Sequence, residues 1–276
     1  MASSRSPGRK GRFRGGSMAR GLAVAAVFLL GIGARADDAV LRPKYDLLTD
    51  GAVTAVAAGA TLTLMALQPE LAPLQCRWCE PGRIDAKVEE ALRWQDPQAA
   101  AHLSDGLAVA LAGGALGYSV FQGYRGDDPE AGWANALLIT EATSVAMLVD
   151  TGVKYTVGRQ RPYAWRGETG IGSASDRNLS FFSGHATFAF AIAASSSTLL
   201  VSQKVPGAGA YSVVAFSVAS AIAYFRVAAD QHYASDALVG AAVGTAIGWA
   251  IPHFFHPPVV GQKGLAMRPG GIAYVW

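Results

Sequence analysis

The sequence is short of the groups that soluble domains carry in quantity. Charged residues make up only 16% of its 276 residues, and the net charge is +3. An ordinary soluble domain is more highly charged than this. No basic stripe interleaves with aromatics, so a nucleic-acid partner is not expected. Cysteine is nearly absent: Cys76 and Cys79, in Cys-Arg-Trp-Cys, are the only two. A zinc site would need two more Cys or suitably spaced His. No strand–helix context of the thioredoxin kind surrounds the pair. It reads as a local disulfide or as two free thiols, and as the disulfide if its loop is extracytoplasmic. No carboxylate-rich cage, no internal repeat and no alternating strand pattern is visible, which leaves a metal site, a repeat array and a β-core without support.

What is present in excess is small and apolar. Hydrophobic residues are 51% of the chain, with 32 glycines and a mean hydropathy of +0.25. The excess is mostly Ala, Gly, Val and Leu, the composition of closely packed membrane helices. A soluble Ala-rich bundle is the alternative. Residues 1–36 read as a basic extension followed by a signal-like segment from Met18, with an apolar run from Leu22 to Ile32 and Ala34-Arg35-Ala36 before Asp37. Residues 37–258 read as one helical domain, and 259–276 as a Gly-rich tail that finishes in a short extended piece.

Six apolar segments fill the domain, near residues 51–67, 106–124, 133–158, 183–201, 210–228 and 233–255. A shorter amphipathic helix is predicted over 84–94. The fold class is therefore all-α: six apolar helices, long enough to span a bilayer, with chemistry at one end. Glu141 and Asp150 lie within the third segment and should face the bundle interior, because a carboxylate facing lipid is expensive.

The chemistry sits between Lys154 and Asp236, in three pieces. Lys154 and Arg161 are seven apart, so a persisting helix would set both on one face to hold an anion. Pro162 would then end that helix, and Arg159, out of register, would be solvated. Ser183 stands before an apolar run as an N-cap. Gly184 lets backbone amides approach a ligand, and His185 sits in the first turn at the positive end of the helix. Arg226 lies near the end of the fifth segment. His232 and Asp236 are four apart, so the carboxylate can orient the imidazole. Taken singly, each piece is also explained by a flanking charge cluster, a simple helix cap or a rim histidine. Together they fall on two connections, third to fourth and fifth to sixth, that share one face of an antiparallel bundle.

Lys-x6-Arg-Pro, Ser-Gly-His and Arg-x5-His-x3-Asp, in this order, resemble the signature of the type 2 phosphatidic acid phosphatase superfamily. That superfamily also includes class A acid phosphatases and vanadium haloperoxidases. Two positions depart from it: Phe182 stands where Pro is common, and Phe225 where Ser is common. The resemblance implies a metal-independent phosphatase without a cofactor, acting on a phosphate monoester or diphosphate, with a lipid or isoprenoid phosphate and the bilayer as partners. It implies that His232 attacks phosphorus, that Asp236 orients it, and that His185 protonates the leaving oxygen. Lys154, Arg161, Ser183, Gly184 and Arg226 would hold the phosphoryl oxygens. A soluble periplasmic acid phosphatase, a haloperoxidase and a non-enzymatic membrane scaffold are the competing readings. The cell envelope is the implied location. A cleaved signal followed by six spans would put the site in the cytoplasm, whereas a Cys76–Cys79 disulfide on the same face would put it outside. The expectation taken here is an extracytoplasmic site.

Overall fold

A computed structural model describes residues 41–168 and 172–260, together with the backbone of 264–268 and 271–275. The signal-like segment and the basic extension lie outside the described residues. The elements run β1 (Leu41–Pro43), α1 (Leu47–Ala66), α2 (Gln68–Leu71), α3 (Arg83–Leu92), α4 (Pro97–Arg125), α5 (Pro129–Val157), α6 (Pro162–Trp165), α7 (Gly184–Ser202), α8 (Ala208–Ala228), α9 (Ala234–Ala250), β2 (Pro258–Val260), β3 (Gly264–Arg268) and β4 (Gly271–Val275). A π-helical turn at Ile251–Phe255 extends α9. Six of these helices are long and apolar enough to cross a membrane: α1, α4, α5, α7, α8 and α9 with its extension. The all-α expectation holds. The strands are short: β1 pairs antiparallel with β2, and β3 with β4, so the tail does finish in extended structure.

The helix starts follow local chemistry. Asp46, Asp96 and Asp128 each cap a helix by accepting from a backbone amide three residues on, and Pro97 and Pro129 occupy first-turn positions where no amide is needed. These caps explain two boundary differences. α4 begins at Pro97, well before the apolar run near residue 106, because its first two turns are polar but capped. α5 begins at Pro129 rather than 133.

The centre of the bundle is α7, which packs against α4, α5, α8 and α9. In its most apolar window 72% of residues are buried, against 17% in α1. Small residues make this possible. A Cβ on Gly240, Gly244 or Gly248 of α9 would come within 2.6, 2.3 and 2.5 Å of the carbonyl oxygens of Ser183, at the N-cap of α7, and of Thr187 and Ala191 within it. One glycine stripe therefore brings the two backbones together. Leu138, Ile139, Leu199, Leu200 and Ile222 fill the core around them. Close α7–α9 packing brings the start of α7, which carries His185, beside the chain entering α9, which carries His232; Ser183 N donates to the Asp236 carbonyl at 3.1 Å.

Candidate active site

The first cation comes from the last turn of α5. Lys154 Nζ lies 2.8 Å from Asp150 Oδ2, one turn earlier. Gly184 permits this position, since a Cβ there would lie 2.7 Å from Lys154 Nζ and 3.0 Å from Asp150 Oδ2. Asp150 and Glu141 are both buried within the bundle, as the cost of lipid exposure requires.

The helix does not persist from Lys154 to Arg161. Gly158 ends α5 in the left-handed conformation, with φ of 60°, a role that suits glycine. Arg161 then lies in extended backbone as the N-cap of α6, and Pro162 starts that short helix rather than stopping the previous one. The two cations converge through this loop, not through helical register. Arg161 Nη2 donates to Asp176 Oδ1 at 2.8 Å and Nε to the Asp176 carbonyl at 3.0 Å. Its Nη1 donates to the Gln231 carbonyl at 2.9 Å and lies 3.1 Å from His232 Nε2.

Arg159 also differs from the sequence expectation. It is not solvated but 1% exposed. Its guanidinium lies between the rings of Trp78 and Tyr233, 3.9 and 4.3 Å from their centroids. It forms ion pairs with Asp85, at 2.7 Å, and with Asp236. Cation–π stacking and two carboxylates replace the water that an exposed arginine would use. The Cys76–Cys79 disulfide closes the loop that carries Trp78, and Gln160 N donates to the Trp78 carbonyl at 3.0 Å.

Ser183 caps α7 as expected, its hydroxyl accepting from Ala186 N. Fully buried, it does not line the cavity described below. His185, in the first turn, places Nε2 2.8 Å from Asp105 Oδ1 on α4. Arg226 Nη1 approaches the same oxygen at 3.5 Å. Phe182 is buried in place of the common proline, and Phe225 packs edge-on against Trp94.

His232 lies in the turn between α8 and α9. Its amide donates to the Arg226 carbonyl at 3.3 Å, and the turn is held by Asp230, which is fully buried and paired with Arg166. Burial pushes the Asp230 carboxyl up to about 6 against the pull of Arg166. The expected His232–Asp236 hydrogen bond is not made: Nδ1 and Asp236 Oδ2 are 3.8 Å apart. Nδ1 instead lies 2.8 Å from the Ser180 carbonyl oxygen. A carbonyl only accepts, so Nδ1 carries the proton and Nε2 keeps its lone pair. Asp236 works one step back. It accepts from the Ser180 hydroxyl at 2.6 Å, from Tyr233 N at 3.0 Å, and from Arg159. Burial, reinforced by Arg161, Arg226 and Lys154, holds the His232 pKa well below its ordinary 6.5, so the ring is neutral at pH 7.

Six of the eight predicted groups meet in one cavity of about 520 Å³: Lys154, Arg161, Gly184, His185, Arg226 and His232 line it. Its other wall is apolar, with Met65, Ala108, Val109, Met147 and Phe188 from α1, α4, α5 and α7. Asp105, Asp150 and Asp176 also line it, and each carboxylate faces one of the three cations. Of these, only Asp150 had a spacing signal, one turn before Lys154. Asp105 is 80 positions from His185, and no sequence rule joins them. Three cations and two neutral-capable imidazoles around one cavity can bind a tetrahedral oxyanion, attack it and protonate a departing oxygen.

The chain is similar to known proteins in both sequence and structure. Over 143 residues the chain is 34% identical to lipid A 1-phosphatase of Porphyromonas gingivalis, a match covering 49% of this chain and 28% of that protein. The chain thus spans well under a third of that relative's length. It is also similar to the crystal structure of a transmembrane PAP2-type phosphatidylglycerolphosphate phosphatase from Bacillus subtilis, with a TM-score of 0.42 and 16% identity over 77% of this chain and 96% of that one. The PAP2 superfamily matches residues 133–258, which contain all eight predicted site residues. Residues 133–258, which supply most of the cavity's polar groups, thus resemble the PAP2 superfamily.

Proposed function

We propose that this protein is a lipid phosphate phosphatase working through a phosphohistidine intermediate. His232 Nε2 attacks phosphorus, and the P–O bond to the alcohol or phosphate leaving group breaks as the N–P bond forms. His185, directed by Asp105, gives that oxygen a proton. The same imidazole then takes a proton from water, whose oxygen attacks phosphorus and releases inorganic phosphate and free His232. Lys154, Arg161 and Arg226 balance the charge on the equatorial oxygens, the stabilisation on which phosphoryl transfer chiefly depends. With three side-chain cations at the phosphoryl position, the chemistry does not call for a metal ion.

The observation that carries the reading is the His232 tautomer. Its Nδ1–H is fixed on Ser180, and its Nε2 lone pair faces Arg161 Nη1 at 3.1 Å, in a cavity that Lys154 and Arg226 also line together with apolar side chains. Those apolar side chains favour a phosphate monoester or diphosphate on a lipid or isoprenoid tail over a small soluble ester. The named activities of the relatives, on lipid A and on phosphatidylglycerolphosphate, point to the same class. The site faces the extracytoplasmic side, a placement supported by the Cys76–Cys79 disulfide beside it.

Phosphate release from purified protein should be vanadate-sensitive, faster on lipid phosphates in mixed micelles than on glycerol phosphate, and reduced to background in His232→Ala. Turnover by His232→Ala at the unaltered rate would reject the nucleophile. Bromide oxidation in the presence of vanadate would favour a haloperoxidase instead. Protection of the loop near Arg177 from protease in intact cells would overturn the extracytoplasmic placement.

A further inference from the structure

A second set of ligating groups lies away from the phosphate cavity. Asp50 in the first turn of α1, Glu141 in the middle of α5 and His256 just beyond the π turn after α9 come together. One ligand atom from each lies within 4.8 Å of the others. All three residues are buried, at 7, 6 and 5% exposure, and none lines the phosphate cavity. Glu141 precedes Lys154 by thirteen positions on α5, about 20 Å along the helix axis.

Two independent observations point to an ion. Nδ1 of His256 lies 2.9 Å from the Lys44 carbonyl oxygen. In the neutral ring that bond puts the proton on Nδ1 and turns the Nε2 lone pair toward Glu141 Oε2, 3.5 Å away. Metal-bound histidines are oriented in this way by a hydrogen bond from the far nitrogen. In addition, His256 Nε2 and Glu141 Oε2 are both buried without a hydrogen-bond partner, a condition rare in folded proteins unless something fills it. Two carboxylates and a neutral imidazole also sum to two negative charges inside the bundle, which a divalent cation would balance.

We propose that Asp50, Glu141 and His256 bind one divalent transition-metal ion of the zinc class. Imidazole with carboxylate oxygens suits zinc better than calcium or magnesium, which favour all-oxygen shells. Nitrogen and oxygen ligands on one tetrahedral zinc lie about 3.4 Å apart. His256 Nε2 and Glu141 Oε2 already have that spacing at 3.5 Å, and the remaining ligand separations, within 4.8 Å, need to close by about an ångström or less. The ion clamps the start of α1 and the chain leaving α9 onto the middle of α5, beside the β1–β2 pair. It is a structural site that takes no part in phosphate chemistry.

The test uses full-length protein in detergent without a polyhistidine tag, stripped with chelator and titrated with zinc chloride by calorimetry. We expect one zinc per chain by mass spectrometry of metal content, and a rise in Tm on loading. X-ray absorption of the loaded wild type should show a nitrogen and oxygen shell without sulfur. Glu141→Gln and His256→Gln should each weaken binding at least tenfold and abolish the Tm rise, while His232→Ala keeps one zinc. Identical Tm with and without zinc and no retained metal would overturn the proposal, leaving the cluster as an ion pair of protonated His256. Sulfur ligation, or unchanged zinc affinity in both Gln variants, would overturn it by placing the ion elsewhere.

Discussion

Arg159 and Asp236 form an ion pair directly behind His232, and neither residue lines the cavity that His232 faces. Asp236 binds the hydroxyl of Ser180, and the carbonyl of that same serine accepts from His232. The buried arginine therefore fixes the imidazole through two intermediaries. Substituting Arg159 by Met leaves Asp85 and Asp236 without their shared cation. Breaking a buried pair from one side costs about 3–5 kcal/mol, so thermal unfolding should shift down by many degrees. Arg159→Lys should recover only part of this, because one ammonium cannot stack between two rings and serve both carboxylates. Wild-type Tm and turnover in Arg159→Met would refute the arrangement.

Asp105 positions His185, and its effect should depend on the leaving group. Asp105→Asn keeps the shape but loses the charge that orients the imidazole. Loss of general acid help is worth about 10²–10⁴ in rate, but only where the departing oxygen needs a proton. An alkyl phosphate should therefore lose far more kcat than p-nitrophenyl phosphate, whose leaving group departs unaided. Equal losses on both substrates would indicate a structural role alone.

On the proposed mechanism, His232 should set the acid limit of activity. Its pKa is depressed in the folded state, so the proposed nucleophile stays unprotonated as pH falls to its ordinary 6.5 and beyond. The acid limb of kcat/KM for this group should lie below pH 6.5. The unfolded chain takes up this proton near 6.5 while the folded chain does not, so His232 lowers stability as pH falls below 6.5. Arg161→Gln removes one of the cations that depress the pKa and should move the limb up toward 6.5, with reduced activity. A limb that stays put in Arg161→Gln would argue against this electrostatic account.

The α9 glycines should be intolerant of any side chain. In Gly244→Ala the new carbon would sit 2.3 Å from the Thr187 carbonyl oxygen, which is helix backbone and cannot swing away. Overpacking of this kind costs about 1–3 kcal/mol. It also pushes apart the helices whose starts hold His185 and Asp236. Stability and phosphate release should fall together, whereas Gly59→Ala on α1, with nothing within 4 Å, should leave both unchanged.

The long apolar runs determined that the described domain is helical, since nothing else buries such segments with their backbones satisfied. Helix-end residues determined where chemistry would gather, and six of eight predicted groups do meet in one cavity. Local chemistry also announced the Ser183 cap. The tertiary structure alone decided what surrounds them. The notion that Lys154 and Arg161 share a helical face failed because Gly158 unwinds the chain between them, and a bend of that kind is invisible to periodicity. Arg159 looked solvated because its partners, Trp78, Asp85, Tyr233 and Asp236, come from three separate stretches. Asp105 on His185, Ser180 on His232, and the meeting of Asp50, Glu141 and His256 are likewise contacts between distant positions. Burial and pairing depend on which helices pack together, and here that packing rests on a glycine stripe whose effect appears only once α7 lies against α9.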